Sequence, residues 1–383
     1  MGLYATSVTF GAPVKPVAAT DAEVRARIED QRALIGIVPG EGSVLGVWVY
    51  NDVVYAFRNK AGGATAGMYK STTSGWSEID LGQVLNFDGT TQDGEPVPGN
   101  IGSPTTIKGG TSGAEGKLMG ISYQGLWETG GKGGMVLTDV TGTFQDDEDL
   151  QMPLLAFNSG AIEIVEGDVI VGAASGKTAT VTSVTLTGGT WDGSASGSIS
   201  VKDNTGTWNA GEAIQVNGVT RANVNGSSQP SNVKVAVSDG VVYSQTINPS
   251  GTYEFINYNF RGESSGISMY GVNGVDQGFS FDGTTFVKHF TGQDVDHPEH
   301  VHAHQKHLFY SYGNGSIQNS SIIAPNKWST VTGAAELSIG DVVSGFSTEV
   351  NNVMSVFTRN DAYMLYGTSA ADWSLRRFHA GAG

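Results

Sequence analysis

Residues 297–307, HPEHVHAHQKH, hold five of the seven histidines in the chain. His300, His302 and His304 alternate with Val301 and Ala303. In a strand this alternation sends three imidazoles to one face, a donor set that suits zinc or iron. Asp294, Asp296 and Glu299 stand near enough in sequence to orient or complete such a site. A turn at Gln305-Lys306 crosses the run, however, and the stretch overlays other hairpins of the chain that carry no histidine. The competing reading is a polar, partly exposed strand or subunit contact that responds to pH, because imidazole titrates near neutrality.

Three further stretches invite chemical readings. GAASGKT (172–178) is one residue short of the phosphate-binding pattern G-x-x-x-x-G-K-[ST], and TATVTSVTLT follows it. That is a strand pattern, where a phosphate loop needs a helix N-terminus. SFDGTTF (280–286) and KSTTSGW (70–76) approach the Asp-box turns of sialidase-type propellers. The first lacks a residue, the second lacks the aspartate, and no arginine triad lies near them. QDDEDL (145–150) could serve calcium or a glycosidase carboxylate pair, but its repeat counterpart NAGEAI retains only the glutamate, so a solvated turn is expected. No nucleophile–base arrangement stands out. The expectation is a non-enzyme without a cofactor.

The elements that must position these residues are read from composition and repeats. Of 383 residues, 55 are glycine and only 15% are charged, a profile of short strands and tight turns. Cysteine is absent, which excludes disulfides and thiolate metal sites. The start MGLYATSVTF lacks the basic and apolar regions of a secretion signal. No apolar run approaches the roughly 20 residues that span a bilayer. A formal charge of −16 opposes wrapping of nucleic acid, although it suits a surface that DNA slides past. One helix is expected, opening at Thr20 with Glu23 as its capping box and Val24, Ile28 and Ile35 on one face.

Two repeats organise the rest. VWVYNDVVYAF (47–57), VAVSDGVVYS (235–244) and VHAHQKHLFYS (301–311) read as strand, two-residue turn, strand. SMYGVNGVDQGFSF (268–281) and MSVFTRNDAYMLYG (354–367) are looser copies, and several hairpins lead to a further strand and a tryptophan (Trp76, Trp328, Trp373). Two hairpins per unit suggest propeller blades, with a β-sandwich as the alternative. The second repeat matches residues 112–152 with 175–216. Trp127 pairs with Trp191, Phe144 with Trp208 and Glu148 with Glu212, each at an offset of 64. The fold class expected is therefore all-β: a propeller-like platform of repeated hairpins carrying an inserted tandem of small β-barrel or sandwich units, plus one N-terminal helix. The divisions expected are an arm and helix (1–35), platform (36–83), inserted tandem (84–228, split at about 157/158) and platform again (229–383).

RALIGIVPGEGSVLGVWVYNDVVYAFRN (32–59), GMYKSTTSGW (67–76), HPEHVHAHQKHLFYS (297–311) and VMSVFTRNDAYMLYGTSAADWSL (353–375) resemble propeller segments of tail nozzle, or tail hub, proteins of short-tailed bacteriophages, the group that stabilises packaged DNA. The inserted units resemble small β modules of phage virion proteins. The resemblance spans most of residues 32–375 and rests on order and spacing. It implies a virion protein, made in the host cytoplasm, that forms a homo-oligomeric ring, commonly of six copies. Such a ring docks beneath a tail adaptor or portal-side ring and carries fibres or spikes. It continues the channel through which genomic DNA passes without sequence-specific binding, with no membrane anchor. The N-terminal arm, with Pro13 and Pro16, and the helix of residues 20–35 are the expected contacts to the ring above. The chain is shorter than the larger members of that group.

Two rivals remain. A receptor-binding tail fibre or adhesin would stack carbohydrate on Trp127, Trp191 and Trp208, residues whose equivalent repeat positions also suit a core. A sialidase-like glycosidase would need a carboxylate pair and a cation cluster in one pocket.

Overall fold

A computed structural model describes residues 20–89, 92, 98, 105–151, 154–202, 204–226, 235–262, 266–348 and 353–381. The fold is almost wholly antiparallel β-structure. Its long helix, α1 (Asp21–Ile35), begins at the expected capping box. The Thr20 amide donates to Glu23 Oε2 at 2.8 Å, and the Glu23 amide donates to Thr20 Oγ1 at 3.4 Å. The arm with Pro13 and Pro16 lies outside the described residues.

Four strands follow as a meander: β1 (Glu41–Tyr50), β2 (Val53–Asn59), β3 (Ala66–Thr72) and β4 (Gly75–Glu78). This is the first blade. Its leading hairpin turns at Asn51 (φ 46°) and Asp52 (φ 60°), two residue types that tolerate the left-handed region a two-residue hairpin loop requires.

The chain then leaves the platform through β5 (Gln83–Phe87), β6 (Thr105–Gly109), β7 (Glu115–Gln124), β8 (Lys132–Thr141) and β9 (Leu150–Gln151), with one helical turn, α2 (Trp127–Gly130), between β7 and β8. It enters a second unit made of β10 (Leu154–Gly160), β11 (Val169–Gly172), β12 (Thr178–Gly188), β13 (Ala195–Lys202), β14 (Ala213–Val216) and β15 (Val219–Val224). That unit is a closed barrel in the order β10-β13-β12-β11-β14-β15. Only afterwards does β16 (Val237–Ser244) return to pair with β5.

The first unit has the same cyclic order, β5-β8-β7-β6-β9-β16. An antiparallel bridge between Asp149 and Ala236, with the Leu150 amide donating to the Val235 carbonyl, brings the two ends of that path together. The two units are therefore nested. The second barrel is inserted between the last two strands of the first. This corrects the expected hairpin at residues 235–244: VAVSDGVVYS is one strand that completes the first barrel, with a register shift between Val237 and Val242. Asp239 accepts from the Val241 amide inside that shift, so the Asp-Gly pair makes a bulge and not a turn.

The platform resumes with the second blade, β17 (Glu254–Tyr258), β18 (Ser268–Val272), β19 (Phe279–Phe281) and β20 (Phe286–Lys288). The third blade is β21 (His300–His304), β22 (His307–Ser311), β23 (Ser316–Asn319) and, after an excursion, β25 (Ala335–Ser338). The excursion is β24 (Lys327–Trp328), which pairs in parallel with β7 of the first barrel, so Trp328 locks platform to barrel instead of ending its own blade. The fourth blade is β26 (Val343–Thr348), β27 (Met354–Thr358), β28 (Asp361–Tyr366) and β29 (Ser374–Ala380).

The blades stack through their leading strands, β1 against β17, β17 against β21 and β21 against β26. Each seam is an apolar layer. Phe57, Met68, Phe255, Phe279 and Phe281 fill the first, with Phe57 and Tyr253 stacked at 4.4 Å. Tyr270, Val272, Val301 and Leu308 fill the second, and Phe309, Ile317, Met354 and Val356 the third. Full burial of such side chains contributes on the order of 1.5–3 kcal/mol each.

Candidate functional site

The histidine run forms a hairpin whose turn is Gln305 (φ 47°) and Lys306 (φ 62°), with His304 opposite His307. It holds the same place as the Asn51-Asp52 hairpin of the first blade: both join strands one and two of a four-stranded sheet through two residues at left-handed φ. The expected alternation is present, since Val301 enters the second seam while His302 and His304 turn toward the fourth blade. The imidazoles do not converge on a common point. His300, His302 and His307 each hydrogen-bond a different partner, and His304 packs among aromatic rings.

His300 Nδ1 lies 2.8 Å from Glu254 Oε2 on β17, whose other carboxylate oxygen accepts from the Val301 amide at 3.1 Å. That carboxylate raises the His300 pKa. His302 Nε2 reaches across the next seam to Thr348 Oγ1 on β26, and its ring lies against Phe346. Burial lowers its pKa. His304 is buried among Phe309, Trp373 and His307, and this lowers its pKa to about 4. His307 Nδ1 donates to the Ser320 carbonyl at 2.6 Å, which fixes its tautomer, and burial lowers its pKa as well. Asp296, considered as a helper, accepts instead from the Thr291 amide and hydroxyl at 2.9 and 2.8 Å. Among the described residues, no group of three His, Asp or Glu side chains is placed to hold a metal ion.

The first seam carries an analogous polar tie that sequence reading missed. Trp48 Nε1 donates to Asn257 Oδ1 at 2.8 Å, while Asn257 Nδ2 donates to the Val49 carbonyl, also at 2.8 Å. Glu254, Asn257 and Thr348 each act on a neighbouring blade, and spacing along the chain carries no signal for such partners.

The remaining sequence candidates resolve into structure-bearing roles. Gly172 and Ser175 of GAASGKT wrap the Glu212 carboxylate, and Thr178 starts strand β12. Asp282 of SFDGTTF caps its own turn, accepting from the Thr284 and Thr285 amides at 2.9 and 2.7 Å. Glu148 of QDDEDL is buried, not solvated, and accepts from the Thr111, Ser112 and Gln145 amides. Trp127 is buried against Phe87 (ring centroids 5.3 Å) and Trp191 stacks on Phe157 (5.3 Å), while Trp208 is wholly enclosed in the second barrel. Trp127 and Trp208 thus serve as core, with no open ring face for a sugar.

One cleft lies between barrel and blades, lined by Asp80, Lys117, Asp139, Thr284 and Phe286. Lys117 and Asp139 form an ion pair there and Asp80 adds a second carboxylate, so the cleft holds no cation cluster. No protein-family model matches this chain, and no curated protein does.

Proposed function

We propose that this chain is a structural subunit of a bacteriophage tail, of the nozzle or hub type, whose task is to supply a rigid wall and a docking surface. The observation that carries this reading is the run of polar ties across successive blade seams, Asn257 to β1, Glu254 to β21 and Thr348 to His302. They tie each blade to the next, as a rigid wall requires. The nested barrels support the reading too, because they join the platform through β24 and β20 as an appendage suited to fibres, spikes or a neighbouring ring.

The charge of −16 fits a conduit for DNA, since a wall of like charge repels the phosphate backbone across a narrow gap. The ring is expected to sit in the virion tail beneath an adaptor. Negative-stain imaging of the purified full chain tests this: rings with a central hole support it, and a field of single globules at every concentration overturns it. Binding to double-stranded DNA at low salt would also count against the conduit.

A further inference from the structure

A second cleft opens at the junction of the first barrel and the second blade, with a volume of about 310 Å³. Its floor is the outer face of the barrel, where Tyr243, Val84 and Val136 stand side by side on β16, β5 and β8. Its far wall is Phe290, two residues beyond β20. Phe290 lies close on β8 because residue 134 is glycine. A Cβ there would stand 2.8 Å from the ring and 2.6 Å from Val84. Tyr243 is 44% exposed, and the rim beside it at Ser244 and Thr246 is exposed too, so the cleft is open along that edge.

The fold holds the polar groups of the lining in place. Gln245 Nε2 donates to the Leu81 and Phe286 carbonyls at 2.6 and 3.0 Å. Both N–H groups are thereby spent, and what Gln245 can offer the cleft is its carboxamide oxygen, an acceptor. Gln277 Nε2 is likewise anchored, donating to the His289 carbonyl at 2.9 Å. The Asn86 carboxamide has a buried oxygen with no hydrogen-bond partner, so the fold leaves part of its bonding capacity unused. Lys288 brings an ammonium group, but the Asp276 carboxylate lies 3.4 Å from it and balances its charge.

Amides, hydroxyls and a charge-balanced ammonium thus surround a floor of two aromatic rings and two valines. A sugar ring matches that mixture, because it carries hydroxyls around its edge and C–H groups on its faces. A hydrocarbon would leave the lining amides and hydroxyls unpaired, and an anion would find no cation free of its counter-charge. The volume stands at the lower end of small-ligand pockets, about 300–1,000 Å³, which suits a short saccharide and excludes a folded partner. We propose that this cleft binds a neutral saccharide, seated on Tyr243, Val136 and Phe290 and hydrogen-bonded by Asn86, Gln245 and Thr246. The site does not depend on ring formation, so it stands apart from the structural role.

Saturation-transfer difference NMR on the full chain tests this, with titration to follow affinity. The probes are glucose, galactose, mannose, N-acetylglucosamine and maltose, beside glucuronate and uridine. Thr246→Trp fills the rim, Tyr243→Ala removes an exposed ring, and Trp191→Phe alters a ring of the second barrel, outside the cleft. Thermal melts confirm that each variant is folded. At least one neutral sugar should give a signal, and its affinity should fall roughly tenfold or more in Thr246→Trp and Tyr243→Ala while Trp191→Phe keeps it. Sugar binding that Thr246→Trp retains lies outside this cleft and overturns the proposal. Silence from every neutral sugar overturns it as well, and so does a response confined to glucuronate or uridine. If Tyr243→Ala melts early, Thr246→Trp decides alone, since its side chain replaces an exposed one.

Discussion

Glu148 and Glu212 occupy the same place in the two nested barrels. Glu148 accepts from the Thr111, Ser112 and Gln145 amides at 3.1, 2.8 and 2.7 Å, and Glu212 accepts from the Ala174, Ser175 and Asn209 amides at 2.9, 2.8 and 2.5 Å. Gly109 and Gly172 lie against the two carboxylates, and a Cβ at either would collide with the carboxylate and with the serine beside it. The duplicated segment thus preserves a buried anion gripped by three amides from two loops, pinning the β6–β7 and β11–β12 turns.

Burial alone would raise both pKa values, yet the hydrogen bonds outweigh it and hold both carboxyls below the ordinary range. The stability they contribute is present above the ordinary glutamate pKa and is lost as pH falls through the lowered one. Glu212→Gln replaces one acceptor oxygen with an NH2 group facing amide donors. It should cost about 2–3 kcal/mol at neutral pH, in line with charged hydrogen bonds lost to buried donors. Calorimetry of the full chain should show one transition moved down while the platform transition stays. Glu148→Gln should move the transition that includes β16. Unchanged melts for both would refute the role.

Nesting predicts an asymmetry between fragments. Residues 154–226 contain every strand of the second barrel and its core, including Phe157, Ile170, Val181, Ile199 and Trp208. This fragment should fold alone, with dispersed amide resonances and a cooperative melt. Residues 83–151 lack β16, whose entry supplies the buried Val235 and Val237, so they should stay unfolded until 235–244 is joined to them. Cooperative melting of 83–151 by itself would show the nesting to be incidental.

How far the sequence foretold this fold depended on the range of the interactions involved. The hairpins at 47–57 and 301–311 were legible because their turns are local and their alternation has period two. The repeat was legible at Phe144, Trp208 and the two glutamates, because each duplicated side chain keeps its local loop. What failed was 235–244. Its Asp-Gly looks like a hairpin turn, but the β5 pairing that makes it a single strand comes from about 150 residues earlier in the chain. The same limit hid Glu254 and Asn257, whose partners lie on other blades. The face shared by His302 and His304 was correctly read, but alternation says nothing of what the face meets. Here it meets Phe346 and Trp373.

The turn of the histidine hairpin stores strain that can be relieved. Gln305 and Lys306 both sit at left-handed φ, where side chains other than Gly, Asn and Asp carry a cost of roughly 1–2 kcal/mol per residue. Lys306→Gly should therefore stabilise the chain by about 0.5–1 kcal/mol, the gain being reduced by the added freedom of glycine when unfolded. The Ile323 amide still donates to the carbonyl of residue 306. Urea melts at neutral pH should register the gain, and the equivalent Asp52→Gly should give less, since aspartate already tolerates the conformation. A loss of stability in Lys306→Gly would mean the lysine side chain holds the hairpin.

Acid should loosen the seam between the third and fourth blades. His304, held near a pKa of 4, and His307, also lowered, are neutral in the folded state; in the second seam His289, packed against Tyr270, Tyr310 and Trp328, is lowered by burial to about 3 and adds to the acid response of the whole chain. Unfolded, each takes up a proton near 6.5, so the unfolded state binds more protons below that pH. Stability from these groups is full above about pH 6.5 and falls as pH drops toward 4. For His304 alone, a shift of this size corresponds to about 3 kcal/mol once pH reaches 4. His300 works in the opposite sense. Its raised pKa adds stability below 6.5 and loses it as pH climbs past the folded value, so the Glu254 pair partly offsets the acid effect. His304→Leu should flatten the decline between pH 6.5 and 4 by a comparable amount, and Glu254→Gln should lower stability at pH 6 more than at pH 7.5, since the His300 contribution is gained between those two values. Urea melts of the three proteins at pH 7.5, 6 and 4.5 measure both changes. If His304→Leu keeps the wild-type slope, the acid response lies elsewhere in the molecule.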